Sequence, residues 1–257
     1  MTGRSPEVQT VADGVARVAW TRDLLDDGDW SSAVGVVSQL VDEALADHAR
    51  VEAHVAADDA QSLRVATWAG MRREGVMRGV DSDLVVFARL RTDVPVHEPG
   101  GFRALLNSFL PRKRAISQML VRDHDGRVLL CNLTYKQDWD LPGGVVEVGE
   151  SPQLAVSREV SEELGLTLPA GRLLLTDWLP PWGGWDDALC LVFDGGVHEA
   201  AITDKIVRET REIRAAEFCT LDQANERCAD FTARRVEAAI ASACDDDAGP
   251  AYTESGR

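Results

Sequence analysis

The sequence contains little that would place it in a membrane or tie it together with disulfides. No apolar run approaches the 18 residues or so that a membrane-spanning helix requires, and the N-terminus shows no secretory signal pattern. The five cysteines include no C-x-x-C pair. Their odd number and the missing signal predict free thiols and a cytoplasmic protein.

Basic residues are also scarce. The chain has 27 Lys and Arg against 43 Asp and Glu, which gives a formal net charge of −16. Such a surface repels the phosphates of nucleic acids at long range, so neither a duplex nor an RNA is an expected partner. The main basic run, Pro111-Arg-Lys-Arg114, is interpreted as the start of a domain. A small polyphosphate whose charge is masked by a metal ion remains compatible with this composition.

One segment of the chain has clear signals for a helix of defined length. Ser151 is a suitable N-cap and Pro152 suits the first helical position. Gly165 suits the left-handed residue that follows the end of a helix. Nothing between these residues breaks the pattern, which predicts a helix over 152–164.

The glutamates of this predicted helix are crowded. Glu159 and Glu163 are four residues apart and share one face, which Glu162 borders. Like charges at this spacing destabilise a helix by about 0.2–0.5 kcal/mol per pair, and a bound divalent cation would relieve that repulsion. Oxygen ligands select Mg²⁺, with Mn²⁺ as a competent substitute. The competing interpretation is a solvated acidic helix face.

Residues 144–166 fit the pattern G-x5-E-x7-R-E-U-x-E-E-x-G-U, in which U is a bulky aliphatic residue. The fixed positions are held by Gly144, Glu150, Arg158, Glu159, Glu162, Glu163 and Gly165, with Val160 and Leu166 at the aliphatic positions. The segment resembles the signature of the Nudix hydrolases, which cleave a nucleoside diphosphate linked to another group, X.

The resemblance implies a metal site. Glu159 and Glu163 would be the main ligands, and Glu162 would be a further ligand or the base that orients water. The carbonyl of Gly143 or Gly144 would complete the shell. The implied reaction is substitution at phosphorus by a metal-activated water.

The resemblance also implies supporting residues. Arg158 would hold the glutamates by ion pairing, with Glu150 as its partner. Some Nudix enzymes draw another carboxylate from a distant loop, and Glu212 is the candidate here. Glu209 and Glu217 are its rivals, and a surface glutamate without a role is the alternative for all three.

Aromatic residues near this segment are candidates for binding a nucleobase. Trp139 precedes the glycine turn, while Trp182 and Trp185 lie in a Pro- and Gly-rich loop. Their rings could form a stacking platform, or they could cover the core and the edge of a sheet. Tyr135 and Lys136, just upstream, could face the same pocket.

The order of predicted elements indicates an α/β (α+β) protein with two regions. Residues 112–243 alternate strands and helices in the order expected for a mixed sheet with helices on both faces, which is also the Nudix α/β/α sandwich. Residues 1–93 are predicted to form a smaller α/β domain, and 94–111 a linker. The acidic tail, 244–257, is predicted to be disordered.

The N-terminal region resembles the C-terminal half of a GNAT-superfamily acyltransferase. The matching segments are 51–55, 58–65, 69–78 and 83–90. Two features depart from that family: the region is too short for a complete domain, and Asp26-Asp-Gly-Asp-Trp-Ser31 stands where a pyrophosphate-binding loop would precede the helix. A half-sheet is expected to leave an edge and an apolar face uncovered, and either the Nudix region or a second copy of this half, in a homodimer, would cover them.

Three functions are therefore considered. The leading one is an Mg²⁺-dependent pyrophosphohydrolase acting on a small nucleotide, such as a nucleoside triphosphate, a nucleotide sugar or ADP-ribose. The second is an acyl-CoA-dependent acyltransferase or acyl-CoA-binding protein with the Nudix region as an accessory. The third is a module that senses a nucleotide without turnover, which the complete set of motif glutamates disfavours.

Overall fold

The structure, a computed structural model, describes residues 6–21, 24, 30–245 and 249–257. The chain divides into two compact units, Met1–Pro111 and Arg112–Arg257. The predicted linker, 94–111, belongs to the first unit, because a helix forms there and its Leu105 is buried. None of the helices that the structure describes is both long and apolar enough to cross a membrane.

The first unit is a five-stranded sheet with helices. Its elements in chain order are β1 (Glu7–Ala12), β2 (Val15–Ala19), α1 (Trp30–Asp47), β3 (Arg50–Ala56), α2 (Ala60–Trp68), β4 (Arg72–Met77), β5 (Leu84–Leu90) and α3 (Pro99–Phe109). The strand order is β1-β2-β3-β5-β4, in which β2 and β3 are parallel and the other neighbours are antiparallel. Residues 26–29 of the acidic segment before α1 lie outside the described part of the chain.

The two faces of this sheet differ in chemistry. Side chains alternate along a strand, so Val51 and Val55 of β3 join the core with α1 and α2 while their neighbours point the other way. On that second face Glu52 accepts hydrogen bonds from Arg17 (Nη2 to Oε1, 2.7 Å) and lies 3.3 Å from Nε2 of His54. The expectation of an uncovered apolar face is therefore wrong: this face carries ion pairs.

The second unit contains the remaining elements. They are β6 (Arg114–Asp123), β7 (Val128–Leu133), β8 (Trp139–Asp140), β9 (Gly143–Val145), α4 (Pro152–Leu164), β10 (Leu173–Leu179), β11 (Ala188–His198), β12 (Ile213–Cys219), α5 (Leu221–Arg227), α6 (Asp230–Ala243) and β13 (Ala251–Glu254), with a 3₁₀ turn at Ala200–Lys205. The order of the main strands is β12-β7-β6-β11-β10-β13, while β8 pairs with β7 and β9 pairs with β6.

Helices cover both faces of this mixed sheet. Val156 and Val160 of α4 pack with one set of buried strand residues, and Val236 and Ala239 of α6 pack with the other. Strand β11 is parallel to β6, β13 is parallel to β10, and the remaining pairs are antiparallel. The predicted α/β/α sandwich with a mixed sheet is confirmed.

The C-terminal tail is ordered where the structure describes it, which corrects the prediction of disorder over 244–257. Residues 251–254 form β13, and residues 246–248 lie outside the described part of the chain. The physical reason is Asp177, a fully buried carboxylate that needs hydrogen-bond donors. Thr253 Oγ1 donates to Asp177 Oδ1 at 2.7 Å, and the N–H of Gly256 donates to the same oxygen at 2.9 Å.

A chain of buried polar groups continues inward from Asp177. Arg235, whose side chain is 2% exposed, donates from Nε to Asp177 Oδ2 at 2.8 Å and from Nη1 to Gln118 Oε1 at 3.0 Å. Gln118 Nε2 donates to Asp140 Oδ1 at 2.8 Å, and Lys136 Nζ pairs with Asp140 Oδ2 at 2.6 Å. Each buried charge is thus paired with an opposite one, as burial in a low dielectric requires.

Candidate functional site

Helix α4 begins and ends where its capping residues place it. Ser151 is extended (φ −81°, ψ 144°) and its hydroxyl accepts from the N–H of Leu154 at 3.3 Å, with Pro152 at the first helical position. Gly165 ends the helix in the left-handed region at φ 66°. These caps fix the length of the helix, while the packing of Val156 and Val160 against the sheet leaves Glu159 beside Gly144 of β9.

The glutamates of α4 line a cavity of about 610 Å³. The other residues of its wall come from the chain before β8, from β9 and from the segment before β12. The full lining is Tyr135, Gly143, Gly144, Val145, Glu159, Glu162, Glu163, Glu209, Arg211 and Glu212. The structure therefore brings together the three motif glutamates, the glycines and Glu212, which are far apart in the sequence.

Glu163 is the most buried of these carboxylates, with 4% of its surface exposed. Its Oε2 accepts from the backbone N–H of Gly143 at 3.0 Å. Burial first of all raises the pKa of Glu163, to about 8; the N–H of Gly143 opposes this shift, and the nearby charges of Glu159, Glu212 and Asp140 add to it. Burial also raises the pKa of Glu159. The cavity thus holds negative charge that its surroundings do not fully compensate.

Arg158 donates hydrogen bonds to three carboxylates of the motif. Its Nε donates to Glu150 Oε1 at 2.9 Å, and its Nη1 donates to Glu159 Oε1 and Glu162 Oε2, both at 2.9 Å. These bonds, first of all the one to Glu150, raise the pKa of the Arg158 guanidinium above its ordinary value. The partner predicted for Arg158, Glu150, is the one that the structure shows.

Two glycines allow the β9 backbone to approach the glutamates. Gly143 has φ +135°, and a Cβ there would stand 2.2 Å from the carbonyl oxygen of Ser117. A Cβ at Gly144 would stand 2.6 Å from Cδ of Glu159. Gly143 requires glycine, because its φ is positive and a Cβ would meet the backbone of β6, whereas a Cβ at Gly144 would push the carboxylate of Glu159 out of its present place.

The segment before β12 is fixed to the end of α4. The N–H of Glu209 donates to the carbonyl of Glu163 at 2.9 Å, and that of Val207 donates to the carbonyl of Leu164 at 2.9 Å. This places Glu209 and Glu212 in the cavity wall. Glu217 does not line it and pairs instead with Arg227 at 2.9 Å.

The predicted aromatic platform is not part of this cavity, apart from Tyr135. The ring of Trp139 lies under the guanidinium of Arg227, 4.7 Å from its centroid. Trp182 and Trp185 are 63% and 60% exposed in their loop. Trp182 packs edge-to-face on a phenylalanine ring, and the ring of Trp185 lies 4.8 Å from the Arg114 guanidinium.

Lys136 is not among the residues that line the cavity, and its ammonium pairs with Asp140. The sequence reasoning missed Arg211, which does line the cavity. The available signal was a basic residue directly before the candidate Glu212 in an otherwise acidic site. It also missed Arg235, for which the amphipathic pattern of α6 gave no warning of a buried charge.

Among the described residues that line the cavity, the side-chain atoms that can bind a metal ion are all oxygens, because the guanidinium of Arg211 has no lone pair to offer. Among the residues described, no group of three or more Asp, Glu, His or Cys side chains is arranged so that it could hold a metal ion. The reason is visible in the hydrogen bonds: Arg158 holds one oxygen each of Glu159 and Glu162, and Gly143 holds Oε2 of Glu163. A hard cation fits this donor set once these carboxylates exchange their present hydrogen bonds for the ion.

Comparison with known proteins identifies the family of the second unit. Residues 111–240 match the family model of the NUDIX domain. A MutT-like protein of Streptomyces ambofaciens is 32% identical over 140 residues, which cover 53% of this chain and 79% of that protein. The nucleoside triphosphatase NudI of Escherichia coli O17:K52:H18 is 33% identical over 115 residues, or 41% of this chain and 77% of that protein.

Among solved structures, the MutT protein of Methanosarcina mazei Go1 aligns with 55% of this chain and all of its own, at 22% identity and a TM-score of 0.44. The mixed sheet between two helical layers, with a glutamate-lined cavity beside it, defines a hydrolase of nucleoside diphosphate derivatives. The chain belongs to the Nudix family.

Proposed function

We propose that this Nudix hydrolase is an Mg²⁺-dependent pyrophosphohydrolase that cleaves a nucleoside diphosphate linked to X, with nucleoside triphosphates as the first class of substrate to test. The observation that carries this proposal is the convergence of Glu159, Glu162, Glu163 and Glu212 on one cavity beside a glycine-rich strand. A relative at 33% identity that is named a nucleoside triphosphatase supports the choice of substrate. Nucleotide sugars and ADP-ribose are the other two classes.

In this proposal Glu159, Glu163 and Glu162 hold the cation, together with the carbonyl of Gly144. When bound, Mg²⁺ supplies positive charge that offsets the phosphate oxygens and makes water a better nucleophile. Arg158 keeps Glu159 and Glu162 close enough to act together, since both accept from its Nη1.

The remaining carboxylates orient the attacking water in this proposal. The water oxygen forms a bond to phosphorus while the bridging P–O bond breaks, and the water proton passes to a carboxylate. Glu162 and Glu212 are the candidates for that role, because both line the cavity. Paired Gln variants at the two positions separate them.

The experiment that tests the function is a panel of phosphate-release assays on the full chain. Nucleoside triphosphates, nucleotide sugars, ADP-ribose and dinucleoside polyphosphates are each assayed with Mg²⁺, with Mn²⁺ and with chelator. We expect turnover of at least one class that depends on the divalent ion. The absence of turnover across the panel would favour the third function, a module that binds a nucleotide without cleaving it.

For the N-terminal unit we propose a GNAT-like origin with a structural role. The parallel pair of β2 and β3, followed by β5 and β4, supports the resemblance, and the two parallel strands separate after Arg17 and Glu52. The cavity between their diverging ends has a volume of only about 110 Å³. Ligand sites are usually about 300–1,000 Å³, so this volume favours loss of acyl-CoA binding over acyl transfer. Calorimetry with acetyl-CoA tests it, and measurable binding would restore the acyltransferase alternative.

A homodimer through this unit would rest on its sheet edges, since the open face of the sheet is charged. Both edge strands, β1 and β4, expose apolar side chains, including Val8, Val76 and Met77. Gel filtration with light scattering at micromolar concentration distinguishes a dimer from a monomer. A strict monomer would end this part of the proposal.

A further inference from the structure

The cavity has an imbalance of charge that matters for a polyphosphate. Its wall carries five glutamates and, among the described residues that line it, Arg211 is the one with a positive charge. Arg158 is not among the residues of the wall, and its guanidinium already donates to Glu150 and to two of the wall glutamates, Glu159 and Glu162. With a divalent ion alone, the phosphate chain of a nucleotide would still face several carboxylates. A guanidinium in the wall would offset that repulsion.

Arg211 is held loosely and only by its neighbour in the chain. Its side chain is 86% exposed, and its Nε and Nη2 donate to Oε1 and Oε2 of Glu209 at 3.0 and 3.3 Å. An exposed ion pair of this kind contributes little to stability. The guanidinium can therefore leave Glu209 without breaking any other contact that the structure assigns to it.

The backbone that carries Arg211 is, by contrast, fixed. Its carbonyl accepts from Thr134 Oγ1 at 2.6 Å, and the next carbonyl, of Glu212, accepts from the N–H of Thr134 at 2.8 Å. Two residues earlier, the N–H of Glu209 is bonded to the carbonyl of Glu163. A movable charged group is thus tethered at a constant place beside the catalytic glutamates.

We propose that Arg211 is a substrate-binding residue that exchanges Glu209 for the phosphate chain. The planar guanidinium matches two phosphate oxygens as well as it matches the two carboxylate oxygens that it contacts in the ligand-free protein. Glu209 then acts as a placeholder that keeps the guanidinium at the wall until substrate arrives. This inference rests on the proposed pyrophosphohydrolase function and identifies the side chain that binds its substrate.

The exchange has a kinetic signature. Arg211 would contact phosphate both before and during the reaction, and such uniform binding affects KM while leaving kcat nearly unchanged. A residue that merely stabilised the fold would change the melting temperature and reduce both parameters. Loss of the guanidinium is therefore expected to show as a change in KM and in the affinity for an uncleavable analogue.

The experiment uses the full chain with Mg²⁺ and three variants. Arg211→Gln removes the charge, Arg211→Lys keeps it without the fork, and Arg208→Gln is the matched control from the same segment, outside the cavity wall. We expect Arg211→Gln to raise KM and the Kd of an α,β-methylene nucleoside triphosphate about tenfold or more, with kcat within about threefold. Arg211→Lys should be intermediate, and Arg208→Gln should stay within about twofold.

A fourth variant tests the exchange itself. Glu209→Gln removes the competitor for the guanidinium, so the analogue should bind more tightly, by about threefold. Weaker binding would overturn the exchange, because Glu209 would then be needed to aim Arg211. Circular dichroism of each variant shows that the fold is retained.

The outcomes separate this inference from the function on which it rests. If the wild-type protein cleaves a substrate and Arg211→Gln has the KM and analogue Kd of Arg208→Gln, the role of Arg211 is overturned and the pyrophosphohydrolase stands. A fall in kcat with unchanged KM and analogue Kd overturns it as well. If the wild-type protein neither cleaves nor binds any phosphate compound of the panel, both proposals fall together.

Discussion

The backbone N–H of Gly143 and the buried carboxylate of Glu163 are joined by a hydrogen bond of 3.0 Å across 20 residues of sequence. This contact connects β9 to the last turn of α4, and it depends on a backbone conformation, φ +135° at Gly143, that other residues avoid. It fixes where the most buried carboxylate of the cavity points. Several consequences of this geometry can be measured.

Gly143→Ala should disrupt the site more than a comparable change nearby. The new Cβ would lie 2.2 Å from the carbonyl oxygen of Ser117, so the strand must move and the bond to Glu163 is lost. We expect turnover to fall about a hundredfold or more, as misplaced catalytic groups commonly cause. Gly149→Ala is the control, because Gly149 also has a positive φ, +85°, but its Cβ would meet no atom within 4 Å. Equal activity in the two variants would contradict the role of this contact.

Glu163→Gln tests the metal ligand directly. The amide keeps the size of the carboxylate and removes its charge, so turnover with Mg²⁺ should fall by about two orders of magnitude or more while the fold survives. Glu217→Gln is a matched control, since Glu217 sits on β12 outside the cavity and pairs with Arg227. Turnover near the wild-type value in Glu163→Gln would refute the assignment of Glu163.

The stability of the metal-free protein should depend on pH through Glu163. The pKa of this group rises from an ordinary value of 4.5 to about 8, first because it is buried. Between these two values the folded state holds a proton that the unfolded chain releases, so stability is fully present below pH 4.5 and decreases as pH rises toward about 8. Each 1 kcal/mol lost lowers Tm by about 2–4 °C for a protein of this size.

Thermal unfolding in chelator across this pH range measures the effect. Glu163→Gln should flatten the dependence, because the amide does not titrate. Mg²⁺ should flatten it in the wild-type protein, because the cation takes the place of the proton. A slope that is unchanged in Glu163→Gln would show that another group is responsible.

The parts of the structure that could be predicted from the sequence are those that depend on neighbours along the chain. The ends of α4 follow from Ser151, Pro152 and Gly165, while the partnership of Arg158 with Glu150 was implied by the resemblance to the Nudix signature, which is itself a short stretch of chain. The interleaved helices and strands of the second unit likewise predict a sandwich. These signals are local, so one sequence contains them.

The contacts that could not be predicted join distant residues. Trp139 could stack on a nucleobase, as any tryptophan could. In the structure, however, Arg227, which is 88 positions further along the chain, occupies the face of its ring. The sequence of the tail predicts disorder, because it is rich in Asp and Gly and poor in apolar residues. Its order in the structure comes from hydrogen bonds to Asp177. The charged face of the N-terminal sheet was not predicted. The expectation of an apolar face followed from the length of the N-terminal region and not from the side chains that alternate along β3.

The contact of the tail with Asp177 leads to a prediction about stability. Thr253→Val keeps the shape of the side chain but removes the hydroxyl that donates to the buried carboxylate. Asp177 Oδ1 would keep the N–H of Gly256 but lose its hydroxyl donor. A hydrogen bond to a charged group contributes about 1.5–3 kcal/mol, so the midpoint of urea unfolding should fall accordingly. Ending the chain after Asp245 removes the Gly256 donor as well and should cost more, since the ion pair of Asp177 with Arg235 would lose its cover.

Tyr252→Ala is the control on the same strand, because Tyr252 is exposed and should shift stability by under about 1 kcal/mol. Equal stability of Thr253→Val and the wild-type protein would mean that the tail covers Asp177 without supporting it.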